Sequence, residues 1–262
     1  MTDARDDERY DRPPARSAEA QLSTEEVRVL WDFIHGDILS DPIRRRLREH
    51  WGMCVRHSWA YAVVEIELWE AGAGARGGHQ PFDLSILYTD LLESMVDRLG
   101  TGRHGRMQML DRHGECVICA EVRGGAPPGI LVTHAGLDLR RLTAEANRMR
   151  FTERWMIETR PNWAAGVCPE CATAAGVTPV AGTLPCRMHL RSSGVFSDAS
   201  WELTRTSLAE LAVQVRALTD SMTQSGRPAT EAVDASWVKA VSWFDGWDFP
   251  LALATRGDAD RA

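Results

Sequence analysis

The chain has 262 residues, a formal net charge of −7, 44% hydrophobic residues and 26% charged residues. This is the composition of an ordinary globular protein that is long enough to bury a sizeable core. The acidic balance argues against non-specific nucleic-acid binding, no apolar run reaches the roughly 20 residues of a membrane-spanning helix, and the polar N-terminus is unlike a signal peptide. We therefore expect a cytoplasmic protein without a membrane partner.

Helical patterns dominate the chain between two polar ends. Residues 1–22 are predicted to form a disordered arm, and residues 255–262 a short disordered tail. Between them lies a helical domain over 23–254. The weak similarity of "CVRH" to "CRMH" indicates that this domain could consist of two divergent halves, about 23–110 and 111–254. The clearest helical patterns cover 23–36, 55–70, 83–100, 139–157 and two long segments near the C-terminus.

Three local features refine this prediction. Ser23 and Glu26 form a capping box ahead of the first helix. Glu65 and Glu67 are expected in solvent, since the several Glu-x-x-His pairs of a helical dimetal site are missing. The only convincing strand-like run is "GILVTHAG". The sequence therefore predicts a mostly α fold with little or no β structure.

All six cysteines lie three positions from a second cysteine or a histidine. The eight residues are Cys54, His57, Cys116, Cys119, Cys168, Cys171, Cys186 and His189. Two intervening residues let a tight turn or one helical turn direct both donors at a common ion. In a reducing compartment such pairs indicate metal ligands, and the alternatives are buried structural thiols and redox disulfides.

Eight donors are enough for two sites of four ligands each. Mixed Cys/His sites of four ligands are more typical of zinc than of an iron–sulfur cluster, so zinc is the favoured metal. Sequence proximity joins 168/171 with 186/189, and 54/57 then joins 116/119, which gives two Cys₃His sites; the alternative is a crossed Cys₄ and Cys₂His₂ arrangement. Closed, thiolate-rich sites are poor Lewis acids, so two structural zinc ions per chain, stapling loops in a zinc finger-like manner, are expected.

The region around the first pair resembles a known family. It fits R-x-x-L-x-x-x-x-G-x-C-x-x-H-x-W, with fixed positions at Arg44, Leu47, Gly52, Cys54, His57 and Trp59. With "CVIC" and a later Cys-x-x-His, the chain looks like an uncharacterised family of bacterial helical proteins that carry alternating C-x-x-C and G-x-C-x-x-H motifs. The resemblance covers about residues 25–250 and implies metal sites and a helical fold, without an activity. The chain departs from the pattern by lacking a C-x-x-C before Cys54 and by having "GVCPEC" where a G-x-C-x-x-H is expected.

Basic and isolated histidine residues offer weaker candidate sites. The strongest basic patch comprises Arg44, Arg45 and Arg46, with Arg48 and Arg56 nearby and Arg103 and Arg106 further along the chain. It could bind an anion or nucleic acid, although a solvated helix face is the simpler interpretation. Surface loops are expected for His104 and His113, and a partly buried position for His134.

Aromatic residues concentrate near the C-terminus, in "WVKAVSWFDGWDFP". Such a cluster either seals the core, which is the simpler interpretation, or lines an apolar ligand pocket. The candidate pocket residues are Trp237, Trp243, Phe244 and Trp247.

Three functions are compatible with these features. The first is a non-catalytic binding or regulatory protein, whose zinc-stapled helices present a surface to an unidentified protein or small molecule. The second is an enzyme of specialised metabolism with a Trp-lined pocket and structural zinc. The third is a nucleic-acid-binding regulator that uses Arg44–Arg46, which the acidic net charge disfavours.

Overall fold

The computed structural model describes residues 21–36, 40–70, 81–100, 107–124, 138–193, 197–223 and 226–259. Every regular element in these ranges is helical and none is a strand, which confirms the predicted mostly α fold. The strand-like run at 129–136, together with His104, His134, Arg103 and Arg106, lies outside the described residues. No helix within those ranges is long and apolar enough to cross a membrane.

The helices are numbered in chain order. They are α1 (Thr24–Gly36), α2 (Asp41–His50), α3 (Val55–Leu68), α4 (Phe82–Gly100), α5 (Val117–Val122), α6 (Leu139–Arg148), α7 (Arg150–Glu158), α8 (Arg160–Trp163), α9 (Pro169–Ala174), α10 (Arg187–Ser193), α11 (Asp198–Ser221), α12 (Glu231–Asp234), α13 (Ser236–Asp245) and α14 (Asp248–Ala259). Two short 3₁₀ helices lie at Gln108–Leu110 and Ala164–Gly166.

The chain divides into two compact units, each assembled from two stretches. The first unit comprises Met1–Asp83 and Arg112–Trp155, and the second comprises Leu84–Asp111 and Met156–Ala262. The stretches thus alternate along the chain, whereas the sequence suggested consecutive halves, about 23–110 and 111–254.

The first unit is built around α3. Every residue of this helix except Arg56 is buried, which is the pattern of a helix surrounded by others on all sides. α1 packs against α3, α5 and α6, while α6 also packs against α3. The predicted capping box begins α1, because Ser23 N–H donates to Glu26 Oε2 at 2.8 Å and Glu26 N–H donates to Ser23 Oγ at 3.1 Å.

Glu65 and Glu67 correct the expectation that they lie in solvent. They are 0% and 2% exposed. Glu65 Oε1 accepts a hydrogen bond from the main-chain N–H of Asp83, and Glu67 Oε1 accepts one from the main-chain N–H of Thr152, both at 2.7 Å. Each carboxylate therefore satisfies a free N–H in the first turn of another helix, which local sequence does not reveal.

The second unit is built around α13. Every residue of α13 except Lys239 is buried, and the helix packs against α8, α10, α11 and α12. Leu84, Leu87, Leu91 and Met95 of α4 are buried in a row, as their spacing predicts.

Two boundaries differ from the sequence prediction. The single helix expected over 139–157 is broken at Met149, whose left-handed backbone (φ 49°) ends α6 before α7 begins. The expected tail is helical as far as Ala259, because α14 buries Leu251 and Leu253 and then continues beyond its buried part.

Candidate metal centres

The first metal site combines the N-termini of α3 and α5. Cys54 is the N-cap residue of α3 and His57 lies in its first turn, while Cys116 is the N-cap residue of α5 and Cys119 lies in its first turn. In this position the second residue of each pair follows the first by about one helical turn. Both side chains of each pair consequently lie on the same side of the helix start.

Four donor–donor distances of the first metal site are close to those around a single tetrahedral ion. Zinc bonds of about 2.3 Å to sulfur and about 2.0–2.1 Å to nitrogen give tetrahedron edges of about 3.8 Å between sulfurs and about 3.5–3.6 Å from sulfur to nitrogen. The Cys54 and Cys119 sulfurs are 3.8 Å apart. His57 Nδ1 lies 3.3 Å from both of these sulfurs and 3.6 Å from the Cys116 sulfur.

The second metal site joins Cys168 and Cys171, at the start of α9, with Cys186 and His189, at the start of α10. Cys171 and Cys186 have a sulfur–sulfur distance of 3.9 Å. His189 Nδ1 lies 3.3 Å from the sulfurs of Cys168 and Cys186 and 3.4 Å from that of Cys171. These distances match the same tetrahedron.

The structure therefore brings the eight predicted ligands together as two Cys₃His sets, and within each set all donor atoms lie within 4.8 Å of one another. The crossed Cys₄ and Cys₂His₂ arrangement is not the one observed. None of the six cysteines forms a disulfide.

The two C-x-x-C segments have nearly the same backbone. Cys116 has φ −53° and ψ 128°, and Cys168 has φ −53° and ψ 135°; each caps a helix of six residues. Each segment then turns at a glycine with positive φ, Gly124 at 87° and Gly176 at 70°. Glycine accommodates this conformation without strain. The spacing C-x-x-C-x₄-G, shared by "CVICAEVRG" and "CPECATAAG", is a repeat that the sequence analysis missed.

Charged neighbours surround the first metal site. Glu26 Oε1 lies 3.3 Å from His57 Nε2 and accepts a hydrogen bond from Arg56 Nε at 2.7 Å. Burial acts to lower the pKa of His57, but hydrogen bonds with Cys116, Cys119 and Cys54 outweigh it and raise that pKa far above its ordinary value.

The residues around the second metal site differ from those around the first. The main-chain N–H of Trp247 hydrogen-bonds to the Cys171 sulfur. Hydrogen bonds with Cys171 and Cys186 lower the pKa of Cys168, and those with Cys168 and Cys186 raise the pKa of His189 to about 10. Hydrogen bonds with Cys168 raise the pKa of Cys171 to about 12 and that of Cys186 well above its ordinary value, so a metal ion at this centre has to displace protons.

The aromatic residues predicted to line a pocket lie in the interior of the second unit. Trp237, Trp243, Phe244 and Trp247 are all buried, at 0%, 7%, 0% and 3% exposure. Trp243 packs edge-on against Phe244, and Trp247 stacks on Trp163. They form interior packing in the second unit, and a ligand pocket at them stays a prediction.

The basic patch lies on α2. Arg45 is exposed, and Arg44 and Arg46 are partly exposed, while Ile43 and Leu47 of the same helix are buried. This is the solvated face that the sequence favoured, and His113 is likewise exposed. Nucleic-acid binding at the patch stays a prediction.

Comparison with known proteins adds no assignment. No protein-family profile matches the chain, and no curated protein and no solved structure matches it. The chemistry of the two Cys₃His sets is therefore the basis for any functional conclusion.

Proposed function

We propose that each Cys₃His set binds one zinc ion and that both ions are structural. The observation that carries this proposal is the donor geometry, since in each set one sulfur–sulfur distance and three sulfur–nitrogen distances are close to the edges of a zinc-centred tetrahedron, and all four donor atoms lie within 4.8 Å of one another. Three thiolates and one imidazole occupy all four positions, so no position is open for a substrate or a reactive water.

Structural ions fit the local architecture of both units. The helices that present the C-x-x-C pairs, α5 and α9, have six residues each, and helices of that length are marginal by themselves. Structural zinc sites in small domains contribute about 10–16 kcal/mol, which is comparable to the whole stability of a typical domain at about 5–15 kcal/mol. Each unit would then depend on its ion to stay folded.

The wider role that fits is a non-catalytic binding or regulatory protein with an unidentified protein or small-molecule partner. Its support is the closed ligand set, which gives the metals no catalytic position. The enzyme and nucleic-acid alternatives stay predictions.

Metal analysis of three histidine variants tests the proposal. The wild-type protein should carry about two zinc ions per chain, and His57→Ala and His189→Ala should each carry about one. His113→Ala is the matched control, because His113 is exposed and belongs to neither set; it should keep both ions. Removal of zinc with a chelator should abolish cooperative thermal unfolding. A wild-type protein with one ion or none would contradict the two-site proposal.

A further inference from the structure

We propose that Glu26 is a positioning residue of the first metal site, and that it makes the docking of α1 depend on the metal. This inference rests on the proposed binding of a metal ion by Cys54, His57, Cys116 and Cys119. It goes further by assigning a function to a residue outside the ligand set and a consequence to metal loss.

The two ring nitrogens of His57 face different partners. Its Nδ1 atom faces the three sulfurs, and its Nε2 atom faces Glu26 Oε1 at 3.3 Å. When Nδ1 binds a metal ion as a neutral imidazole, the proton must be on Nε2, which then donates to the carboxylate. A carboxylate in this position holds the tautomer and the ring orientation and makes the histidine a more basic ligand.

The carboxylate of Glu26 is itself held in place. Oε1 accepts from Arg56 Nε at 2.7 Å, and Oε2 accepts from an Arg56 guanidinium N–H at 3.1 Å and from Ser23 N–H at 2.8 Å. Glu26 is 9% exposed. The carboxylate that faces His57 is therefore held in place by three hydrogen bonds from other groups.

The second metal site serves as an internal comparison. In the described part of the chain, no carboxylate is hydrogen-bonded to His189, and His189 acts on Asp248 and Glu170 through its charge. The histidine ligands of the two sites thus have different outer contacts, although the inner donor sets are the same.

Glu26 also connects the first metal site to α1, since it lies in the first turn of that helix. The next residues of α1, Val27 and Leu30, are fully buried. Metal binding that favours the Glu26–His57 contact must favour the docked position of α1, and docking must favour metal binding by the same factor.

Chelator competition on the full-length, zinc-loaded protein tests the coupling. At each chelator concentration, free cysteines are alkylated and located by peptide mass spectrometry, so that Cys116 reports on the first site and Cys186 on the second. Both sulfurs are fully buried. Amide hydrogen exchange of α1 is followed in the same samples.

Glu26→Gln is the decisive variant, because glutamine keeps the capping box and removes the charge. It should lower the metal affinity of the first site by about 10- to 100-fold, which shifts the chelator midpoint for Cys116 by that factor and leaves the midpoint for Cys186 unchanged. Glu25→Gln is the control, since Glu25 pairs with Arg28 on the solvent side of the same helix. It should change neither midpoint.

Two further readouts separate positioning from a merely structural role. In the wild-type protein, α1 should lose exchange protection at the chelator concentration where Cys116 becomes reactive, a result that needs no variant. In the metal-loaded protein, ¹⁵N NMR should show the proton of His57 on Nε2, and Glu26→Gln should shift its resonance.

The outcomes distinguish the two proposals. If wild-type Cys116 is alkylated without chelator and no metal is present at the first site, the metal proposal itself fails. If metal protects Cys116 equally in wild type and Glu26→Gln, or if α1 stays protected after Cys116 has reacted, only the role of Glu26 is overturned.

Discussion

The carboxylate of Glu67 lies at the N-terminus of α7, where it accepts hydrogen bonds from the main-chain N–H and the hydroxyl of Thr152 at 2.7 and 2.8 Å. The first N–H groups of a helix have no partner within the helix, and a negative charge there is favoured by the helix dipole. Burial nevertheless raises the pKa of Glu67, with the hydrogen bonds to Thr152 acting against it. The contact joins α3 to a residue 85 positions later and stabilises the start of a helix that breaks from α6 at Met149.

Replacement of Glu67 tests this contact. Glu67→Ala leaves the N–H and the hydroxyl of Thr152 buried without an acceptor, so the free energy of unfolding should fall by about 2–4 kcal/mol. Glu67→Gln keeps an acceptor oxygen and should lower it by about 1 kcal/mol or less. Urea unfolding of the zinc-loaded protein measures both, and Glu49→Ala, at an exposed position of α2, is the control. A Glu67→Ala variant as stable as the wild-type protein would show that the contact is not stabilising.

The ligand residues were predictable because metal binding leaves a local signature. A C-x-x-C or C-x-x-H pair needs only one helix start, and in both units the first cysteine precedes or caps such a start. Sequence proximity was sufficient to join 168/171 with 186/189 because a short segment separates them. The helical class was predictable for the same reason, since apolar periodicity is also local.

Long-range contacts of polar side chains were not predictable. Glu26 has the spacing of an ordinary capping box, and nothing near it in the sequence indicates His57, 31 positions away. Glu67 is a charged residue of the kind that usually faces solvent, and the sequence does not indicate that Thr152 lies beside it. The break at Met149 lies beside that same contact, since Glu67 accepts the free N–H of Thr152 in the first turn of α7.

The six cysteines should differ in their reactivity toward an alkylating reagent. Cys54 and Cys119 of the first metal site are partly exposed, whereas Cys116 and all three cysteines of the second metal site are buried. N-ethylmaleimide should therefore modify Cys54 and Cys119 first in the zinc-loaded protein, because reaction requires access to the sulfur. Time-resolved peptide mass spectrometry measures the order, and early modification of a cysteine from the second site would contradict it.

Zinc binding at the second metal site should release protons. In the metal-free protein, hydrogen bonds with Cys168 and Cys186 raise the pKa of His189 to about 10. The imidazole is thus protonated at pH 7, whereas the metal requires it neutral, so the proton competes with zinc at every pH below that value.

This competition gives the sign of the pH dependence. The affinity of the second site should rise as pH increases toward about 10, by up to about tenfold per pH unit from this histidine alone. Calorimetric titration of zinc into the metal-free protein, in two buffers with different ionisation enthalpies, counts the released protons. A binding enthalpy that does not change between the buffers would refute the prediction.

Arg187 should stabilise the second metal site although it is not itself a ligand. It follows Cys186 directly, is completely buried, and donates from Nε to the Phe244 carbonyl oxygen at 3.0 Å and from its guanidinium to the Leu110 carbonyl oxygen. These contacts tie the start of α10 to α13 and to the 3₁₀ helix at Gln108–Leu110.

Lysine cannot replace this guanidinium, because an ammonium group lacks the planar fork that reaches two acceptors at once. Arg187→Lys should therefore lower the free energy of unfolding by about 3 kcal/mol or more, the cost of disrupting a buried charge and its acceptors. Its zinc content should fall at the second site, reported by alkylation of Cys186, while Cys116 stays protected.

Arg191→Lys is the matched control, because Arg191 is partly exposed and pairs with Asp111 near the surface. Surface pairs contribute about 0–1 kcal/mol, so this variant should keep both ions and nearly all of its stability. If Arg187→Lys behaves like Arg191→Lys, the buried guanidinium does not support the second metal site, and the ion alone must hold α10 against its neighbours.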